Sequence, residues 1–234
     1  MATSATYEER RGEVETYFDR TAVEAWSRLT SDAPVGRIRA TVRAGRDEMR
    51  ATLLAWLPED FAGRSLLDAG CGTGALSIAA THRGARVTAV DISPNLIQLA
   101  IERHTGETAA NDLAFVVGDM LDPALGHFDH VAAMDSLIHY DAAHIVEALA
   151  TLAARTRHSI VFTFAPRTPA LAAMHFTGRM FPRAERAPRI VPVAEATLRR
   201  AIAAAPALSP WRIGRTTRIS RGFYTSQAME LVRR

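Results

Sequence analysis

The residues with the clearest potential for chemistry are an acid and three alternating glycines at 68–74, in the order Asp-Ala-Gly-Cys-Gly-Thr-Gly. Two leucines precede them and continue a short apolar strand, and residues 75–83 are expected to form a helix. Glycine adopts backbone angles that larger residues avoid, and it lets a ligand approach the main chain closely. A strand, a glycine turn and a helix N-terminus together present free N–H groups to a negatively charged group. The motif therefore predicts a ligand-binding loop.

Two further acids follow apolar runs downstream of this loop. Asp91 ends a predicted strand over 86–91 and lies about 20 residues after Gly70, where an acid can hold ribose hydroxyls. Asp119 follows another apolar run at 113–117, where it could meet an adenine amino group. A dinucleotide and S-adenosylmethionine both contain these groups. The GxGxG loop led by Asp68, the second acid and an antiparallel C-terminal end together favour S-adenosylmethionine over a dinucleotide, whose usual loop is GxGxxG.

These acids need a sheet that brings the ends of successive strands to one edge. Apolar runs at 128–134 and 159–164 predict two more strands, and helices are expected at 94–103, 142–154 and 195–205. Strands that alternate with helices form a parallel sheet covered on both faces. Residues 211–220 and 222–231 have the alternation of two antiparallel strands. We therefore predict an α/β, Rossmann-like fold, with a seven-stranded, mostly parallel sheet, an antiparallel terminal strand, helices on both faces and an N-terminal helical arm.

Composition sets further bounds on the class of protein. The 234 residues, 48% of them hydrophobic, suit one α/β domain with appendages. All 28 basic residues are arginine, which excludes lysine Schiff-base chemistry, pyridoxal-phosphate attachment and the lysine-bearing phosphate loop. Cys71 is the only cysteine, so an intrachain disulfide is excluded. Because the sequence has no bilayer-length apolar run and its first 20 residues are polar, we expect a cytoplasmic protein.

The motifs at 66–74, 90–92, 118–120 and 134–136 resemble those of the class I S-adenosylmethionine-dependent methyltransferases. The resemblance implies that the glycine loop holds the methionyl part, Asp91 the ribose, and Asp119 with Met120 the adenine. A purely structural role for the acids is less convincing, because packing alone rarely places three of them at successive strand ends. The cofactor-binding residues implied are Asp68, Gly70, Cys71, Gly72, Gly74, Asp91, Ile92, Asp119, Met120 and Asp135.

The residues after the fourth predicted strand bear on the methyl acceptor. They read Asp-Ser-Leu-Ile-His-Tyr at 135–140, without the Pro-Pro-aromatic motif that grips a nucleobase amino group, so base methylation is disfavoured. His139 and Tyr140 would place an imidazole and a phenol at the mouth of the cleft, where they could orient an oxygen nucleophile. Packing at a helix start is the alternative for His139. The other histidines have no spacing typical of a metal site, and we expect no protein-bound metal.

Segments outside these motifs are similar to the magnesium-protoporphyrin IX O-methyltransferases of (bacterio)chlorophyll biosynthesis. The similar segments are Tyr-Phe-Asp at 17–19 with Trp26, and residues 43–46, 54–57, 162–169, 178–183, 186–192 and 222–227. Where the family often has Tyr-Phe-Asn followed by Gly-Phe and Arg-Trp pairs, this chain has Asp19, Ala22-Val23 and Ala25-Trp26. We expect an N-terminal helical arm or cap at 1–57 and a methyltransferase core at 58–234, with a substrate-binding insertion at about 166–205.

The substrate implied by this resemblance makes chemical sense of several residues. A magnesium porphyrin is flat and apolar with two propionates, so its site needs a hydrophobic clamp and fixed cations, and arginine matches a carboxylate in a bidentate way. Each arginine could equally be a solvated surface charge. The candidate substrate-binding residues are Trp26, Tyr140, Arg167, Met174, Arg179, Phe181 and Arg183.

Catalysis on a propionate should depend on alignment. A propionate has a pKa near that of glutamate, about 4.3, so it is already ionised at neutral pH and needs no strong base. We expect Tyr17 on the arm and His139 in the core to position the reacting carboxylate, with the magnesium carried by the substrate. His139 could instead ligate that magnesium axially, and the sequence does not separate these roles.

Three other functions stay open on the sequence alone. They are another small-molecule O- or N-methyltransferase, a nicotinamide oxidoreductase, and a non-enzymatic RNA-binding module that uses the basic C-terminal third. The last is disfavoured because the arginines are interleaved with prolines and apolar residues, without a recognition motif. The expected partner is magnesium-protoporphyrin IX, not nucleic acid. A magnesium chelatase subunit and the surface of the photosynthetic membrane are further candidate partners.

Overall fold

The computed structural model describes residues 8–9, 11–12, 36–104, 112–167 and 190–234. Residues 8–9 and 11–12 are helical, and the described parts from residue 36 onward form five α-helices and seven β-strands. The helices are α1 (Arg37–Trp56), α2 (Ala75–Thr81), α3 (Pro94–His104), α4 (Ala142–Ala153) and α5 (Glu195–Ala204). The strands are β1 (Ser65–Ala69), β2 (Arg86–Asp91), β3 (Leu113–Val117), β4 (Phe128–Ala133), β5 (Thr156–Phe164), β6 (Trp211–Arg221) and β7 (Tyr224–Arg233).

All seven strands form one sheet in the order β3-β2-β1-β4-β5-β7-β6. The five strands β1 to β5 are mutually parallel, and β7 runs antiparallel to both of its neighbours, β5 and β6. The predicted fold class is therefore confirmed. Strand order reverses between β1 and β4, and open α/β sheets bind ligands outside the carboxyl ends of the strands at such a point.

Two apolar clusters cover the opposite faces of the sheet. Leu66 belongs to one cluster and Leu67 to the other, and successive side chains of a strand point to opposite faces. One cluster includes Ile145 and Leu149 of α4, four residues apart on one side of that helix. The other includes Met49, Leu53 and Leu57 from α1 and the residue after it, with the same spacing. Helices therefore fix the sheet from both sides and hold the ends of β1 and β4 in place.

Helix α1 docks on the two antiparallel strands through very close contacts. A Cβ atom added at Gly45 would lie 2.5 Å from the ring of Tyr224, so only glycine allows this approach. At the end of the helix, the Arg215 guanidinium donates to the carbonyl of Trp56 at 2.6 Å and lies 5.4 Å from the centre of its ring. The expected division at residue 57 stays a prediction, and α1, which precedes it, shares the hydrophobic core.

The expected insertion at about 166–205 lies only partly within the described residues, because 168–189 fall outside them. Its last part forms α5, whose Leu198 and Ile202 are buried in the same cluster as α4. In the described parts of the chain, no helix has the length and hydropathy that a membrane span requires.

Candidate functional site

The glycine loop turns tightly between β1 and α2. Gly70, Gly72 and Gly74 all have positive φ angles, of 82°, 55° and 78°, in the region that disfavours residues with a Cβ atom. A Cβ atom at Gly70 would lie 2.5 Å from the Cβ of Ser136, and one at Gly74 would lie 2.8 Å from the Phe115 ring. Both conformation and space therefore require glycine at these two positions, and the loop backbone packs against the middle of β3 and the segment that follows β4.

Asp68 lies buried beneath this loop. The residue is 1% exposed, and its carboxylate accepts a hydrogen bond of 2.6 Å from the Ser77 hydroxyl of α2. Burial raises the pKa of Asp68 to about 7, and the nearby charge of Asp91 adds to the effect. Burial and these two acids also raise the pKa of the Cys71 thiol, which disfavours its reactive thiolate form.

Asp91 joins the end of β2 to the glycine loop. One carboxylate oxygen accepts from the Gly72 N–H at 2.9 Å, and the other accepts from the Ser93 N–H at 3.0 Å. Burial raises the pKa of Asp91. Because the Gly72 N–H is directed to a carboxylate, it is not available to a pyrophosphate. Ile92, half-buried, continues the chain into α3 from this point.

Asp119 lies where the chain leaves β3. Its Oδ1 accepts from the Leu121 N–H at 2.8 Å, and its Oδ2 accepts from the Arg11 guanidinium at 2.9 Å. The first contact fixes a tight turn after the strand. The second brings a residue of the N-terminal segment against an acid predicted to meet the adenine. The side chains of both partners are partly exposed, at 38% for Arg11 and 20% for Asp119.

The same turn is held from behind by Arg155, a buried residue that precedes β5. Its guanidinium donates to the carbonyl oxygens of Met120 and Asp122. Burial lowers the pKa of Arg155, while the charges of Asp122 and Asp119 act in the opposite direction. Met120, itself 8% exposed, is thus fixed through its backbone beside Asp119.

Asp135 lies two residues after the end of β4 and has a φ of +57°, a left-handed conformation. Its carboxylate forms an ion pair of 2.7 Å with Arg46 of α1. It also accepts hydrogen bonds from the hydroxyls of Thr163, Tyr224 and Ser226, at distances between 3.1 and 3.3 Å. Burial and the charge of Asp135 raise the pKa of the Tyr224 phenol. The side chain of Asp135 is therefore occupied by protein donors.

The turn after Asp135 carries the two expected acceptor-side residues. A short 3-10 helix spans Leu137–His139, and His139 and Tyr140 are each only 5% exposed. We expected both at the mouth of the cleft, and the structure buries both residues. Tyr140 packs in the same apolar cluster as Leu137. The imidazole and the phenol are thus held in a low-dielectric setting next to the carboxyl edge of the sheet.

The backbone of residues 191–193 lies beside this turn. The Val191 N–H donates to the carbonyl of Ile138 at 2.9 Å, and the Arg167 N–H donates to the carbonyl of Val193 at 3.0 Å. The side chain of Arg167 is exposed at the end of β5. The structure therefore brings Arg167 and the 3-10 turn to the same edge, where the residues flanking 168–189 meet.

Tyr17, Trp26, Met174, Arg179, Phe181 and Arg183 lie outside the described residues, so their roles stay predictions. In the described parts of the chain, no group of three or more histidine, cysteine or acidic side chains is arranged to hold a metal ion.

The sequence patterns did not single out Arg46, Tyr224 or Arg155 as parts of the site. Arg46 and Asp135 are 89 residues apart, a separation for which a single sequence carries no spacing signal. A weaker signal existed, because Arg46 and Gly45 lie in the segment 43–46 that resembles a known family.

Comparisons with known proteins agree with this geometry. Residues 133–233 match the family model described as the magnesium-protoporphyrin IX methyltransferase C-terminus, and residues 66–159 match a general methyltransferase domain. The chain is 48% identical to the magnesium-protoporphyrin O-methyltransferase of Rhodobacter capsulatus, over 96% of this chain and 97% of that protein. It is 31% identical to the chloroplastic magnesium protoporphyrin IX methyltransferase of Arabidopsis thaliana, over 94% of this chain and 70% of that protein.

A solved structure supports the same assignment. The magnesium protoporphyrin IX methyltransferase of Synechocystis PCC 6803, crystallised with bound S-adenosylhomocysteine, superposes with a TM-score of 0.83 at 28% identity. The match covers 96% of this chain and all of that one. The predicted family is thereby confirmed. This chain belongs to the magnesium-protoporphyrin IX O-methyltransferase family, within the class I S-adenosylmethionine-dependent methyltransferases.

Proposed function

We propose that this chain transfers a methyl group from S-adenosylmethionine to one propionate of magnesium-protoporphyrin IX, which gives the monomethyl ester in (bacterio)chlorophyll biosynthesis. The observation that carries the proposal is the 48% identity with the Rhodobacter capsulatus enzyme across 96% of the chain. Similarity of this extent includes the segments outside the cofactor motifs. The similarity therefore supports the assignment of the methyl acceptor as well as that of the methyl donor.

The carboxyl edge of the sheet suits S-adenosylmethionine, which supplies the electrophilic methyl group when bound. Asp91, anchored on Gly72, would accept from the ribose hydroxyls, and Asp119 with Met120 would bind the adenine. The main chain of the glycine loop, Cys71 included, would receive the methionyl part, with Ile92 beside the ribose. A set of carboxylates matches a sulfonium cation and hydroxyl donors better than it matches a pyrophosphate. This chemistry favours S-adenosylmethionine over a nicotinamide dinucleotide.

Asp68 and Asp135 would support the cofactor site in a different way from Asp91. Asp68 is buried and bonded to Ser77, so it would shape the base of the glycine loop. The carboxylate of Asp135 is engaged by Arg46, so contact with the cofactor would fall to its backbone.

The acceptor side would act by orientation and by exclusion of water. The propionate is already ionised at neutral pH, so the protein has to hold it in line rather than deprotonate it. His139 would fix the reacting carboxylate from the core, and Tyr17 would do so from the N-terminal arm. Because His139 is 5% exposed, its hydrogen bond to an anion would be stronger than in water. Axial ligation of the substrate's magnesium is the other role open to His139.

Arg167 is the described cation nearest in sequence to the 168–189 segment, and it would pair with a propionate at the rim. Tyr140 would contribute an apolar contact to the porphyrin. The remaining substrate residues that we propose are Trp26, Met174, Arg179, Phe181 and Arg183. A magnesium chelatase subunit that hands over the porphyrin, and a cytoplasmic location with peripheral contact at the photosynthetic membrane, complete the proposal.

The test is to incubate the purified protein with S-adenosylmethionine and magnesium-protoporphyrin IX and to analyse the porphyrin by mass spectrometry. We expect one carboxyl hydrogen of the porphyrin to be replaced by a methyl group, which is a net gain of one CH₂ unit. With a donor that carries a trideuterated methyl group, the hydrogen should be replaced by CD₃. The matched control is the dimethyl ester of the same porphyrin, in which both propionates are blocked. If the porphyrin stays unmodified although the cofactor is demonstrably bound, the assigned substrate is wrong. If the dimethyl ester is methylated, the methyl acceptor is not a propionate.

A further inference from the structure

Asp135 is the one residue other than glycine with a positive φ in the described parts of the chain. Residues with a Cβ atom seldom adopt this region, and although aspartate does so more readily than most, the contacts around it decide whether the conformation is kept. Four side chains supply these contacts. Arg46 bonds to one carboxylate oxygen, and Thr163, Tyr224 and Ser226 donate to the carboxylate as well.

The backbone of Asp135 is fixed in the same place. Its N–H donates to the Thr163 hydroxyl at 2.7 Å, and that hydroxyl in turn donates to the Asp135 carboxylate. The donors come from α1, β5 and β7, so three elements that are distant in sequence meet at one residue. The side chains of the central ion pair are 20% exposed at Arg46 and 6% at Asp135. Removal of the cation from such a pair would leave a buried carboxylate without compensation.

The conformation of Asp135 sets the course of the chain that follows. Ser136, the next residue, lies directly against Gly70, where an added Cβ atom would come within 2.5 Å of the serine Cβ. The 3-10 turn that ends at His139 begins one residue later. A change in the backbone at Asp135 would therefore move the acceptor turn relative to the glycine loop.

We propose that Arg46 and Tyr224 are positioning residues that hold Asp135 in its left-handed conformation, and thereby set the acceptor turn against the cofactor loop. The inference rests on the proposed function in one respect, that the turn at 136–140 faces the methyl acceptor. Arg46 lies on α1, and Gly45 beside it packs on the ring of Tyr224. The same contacts therefore set the position of α1, which the N-terminal arm precedes.

The experiment replaces Arg46 with methionine and compares it with Arg50→Met on the same helix. Arg50 pairs only three residues away with Asp47 at the surface, which makes it a matched loss of charge away from the cluster. We expect Arg46→Met to lower kcat by about ten- to a hundredfold, because a small misplacement of reacting groups has effects of this size. The Kd for S-adenosylhomocysteine should change much less than kcat, since the ligand groups on β2 and β3 are untouched and only the backbone contact of Asp135 is displaced.

Hydrogen exchange at amides 135–140 gives a readout that does not depend on turnover. We expect faster exchange in Arg46→Met than in the wild type, and wild-type exchange in Arg50→Met. If the wild type yields no ester but these amides respond as expected, the proposed function fails and the positioning role stands. Unchanged exchange and unchanged kcat in Arg46→Met would overturn the positioning role, as would equal effects in both variants.

Two further variants keep the test decisive if Arg46→Met folds poorly. Tyr224→Phe removes only a hydroxyl and should lower kcat with little change in melting temperature. Addition of Asp135→Asn to Arg46→Met removes the uncompensated carboxylate, and asparagine tolerates a left-handed backbone. We therefore expect the double variant to recover part of the lost kcat. Strictly additive losses in the double variant, or full activity in Tyr224→Phe, would overturn the inference.

Discussion

Replacement of Asp91 with alanine is the sharpest test of the cofactor site. Both carboxylate oxygens of Asp91 accept from backbone amides, Gly72 at 2.9 Å and Ser93 at 3.0 Å. The change removes the proposed ribose acceptor and also frees the glycine loop from the end of β2. It should therefore weaken cofactor binding more than loss of one surface contact would.

The size of the effect follows from the bonds lost. A hydrogen bond to a charged group contributes about 1.5–3 kcal/mol, and the ribose offers two hydroxyl donors. Loss of both, partly offset by water that enters the space, gives about 2–4 kcal/mol, or roughly a 30- to 1,000-fold rise in Kd. Porphyrin binding should change by less than about threefold, because the acceptor turn follows a different strand.

The assay is calorimetric titration with S-adenosylhomocysteine, accompanied by porphyrin binding followed through fluorescence. Asp129→Asn is the matched control, because Asp129 also accepts from a backbone N–H, that of Ser65 at 2.8 Å, but at the opposite edge of the sheet. It should lower stability without a specific loss of cofactor binding. A Kd for Asp91→Ala within threefold of the wild type would refute the ribose role, and so would equal losses for cofactor and porphyrin.

Two further predictions concern the residues that support the site. The folded pKa of Asp68, about 7, lies above its unfolded value, so the folded state binds more protons between about pH 4 and 7 and loses up to about 4 kcal/mol of stability as pH rises through that range. Asp68→Asn should remove this dependence, and melting curves that shift with pH in parallel for both proteins would contradict it. Arg155→Met should raise the Kd for S-adenosylhomocysteine about tenfold, because the carbonyls of Met120 and Asp122 lose their buried donor. Calorimetry that finds wild-type affinity, with only a lower melting temperature, would assign Arg155 a purely structural role.

Local patterns were enough to predict most strands and helices of this chain. The apolar runs at 86–91 and 113–117 became β2 and β3 with those bounds. Strand β2 is buried at Val87, Ala89 and Val90, whereas β3 lies at the edge of the sheet and is only partly buried. Strand β5 begins at Thr156, three residues before its predicted start, since its exposed Arg157 and His158 carry no hydrophobic signal. The alternation of the last two strands indicated antiparallel pairing, but not that β7 would lie between β5 and β6.

The residues of the candidate site could likewise be predicted from the sequence only where the signal is local. Acids at strand ends are local features, so Asp91 and Asp119 could be found by spacing, and both now lie at the carboxyl edge. The burial of His139 depends on tertiary packing. In this packing the backbone N–H of Val191, which is distant in sequence, donates a hydrogen bond to the carbonyl of Ile138. The partners of Asp135 come from three distant elements. Contacts of this kind form only in the folded chain, and the hydrophobic periodicity of a single sequence does not indicate them.

The charged side chains at the carboxyl edge of the sheet complement the charges of the two proposed ligands. Asp91 accepts only from backbone amides in the contacts described above, and these neutral groups do not offset its charge, so the ionised carboxylate can attract a sulfonium cation. Asp68 accepts from a serine hydroxyl, and with a pKa of about 7 it carries only part of a charge near neutral pH. Asp135, which precedes the acceptor turn, is paired with Arg46 at 2.7 Å. An uncompensated carboxylate there would repel an incoming propionate, since like charges in a low-dielectric site interact strongly. Neutralisation of Asp135 by α1 therefore makes one sheet edge compatible with a cationic donor and an anionic acceptor side by side.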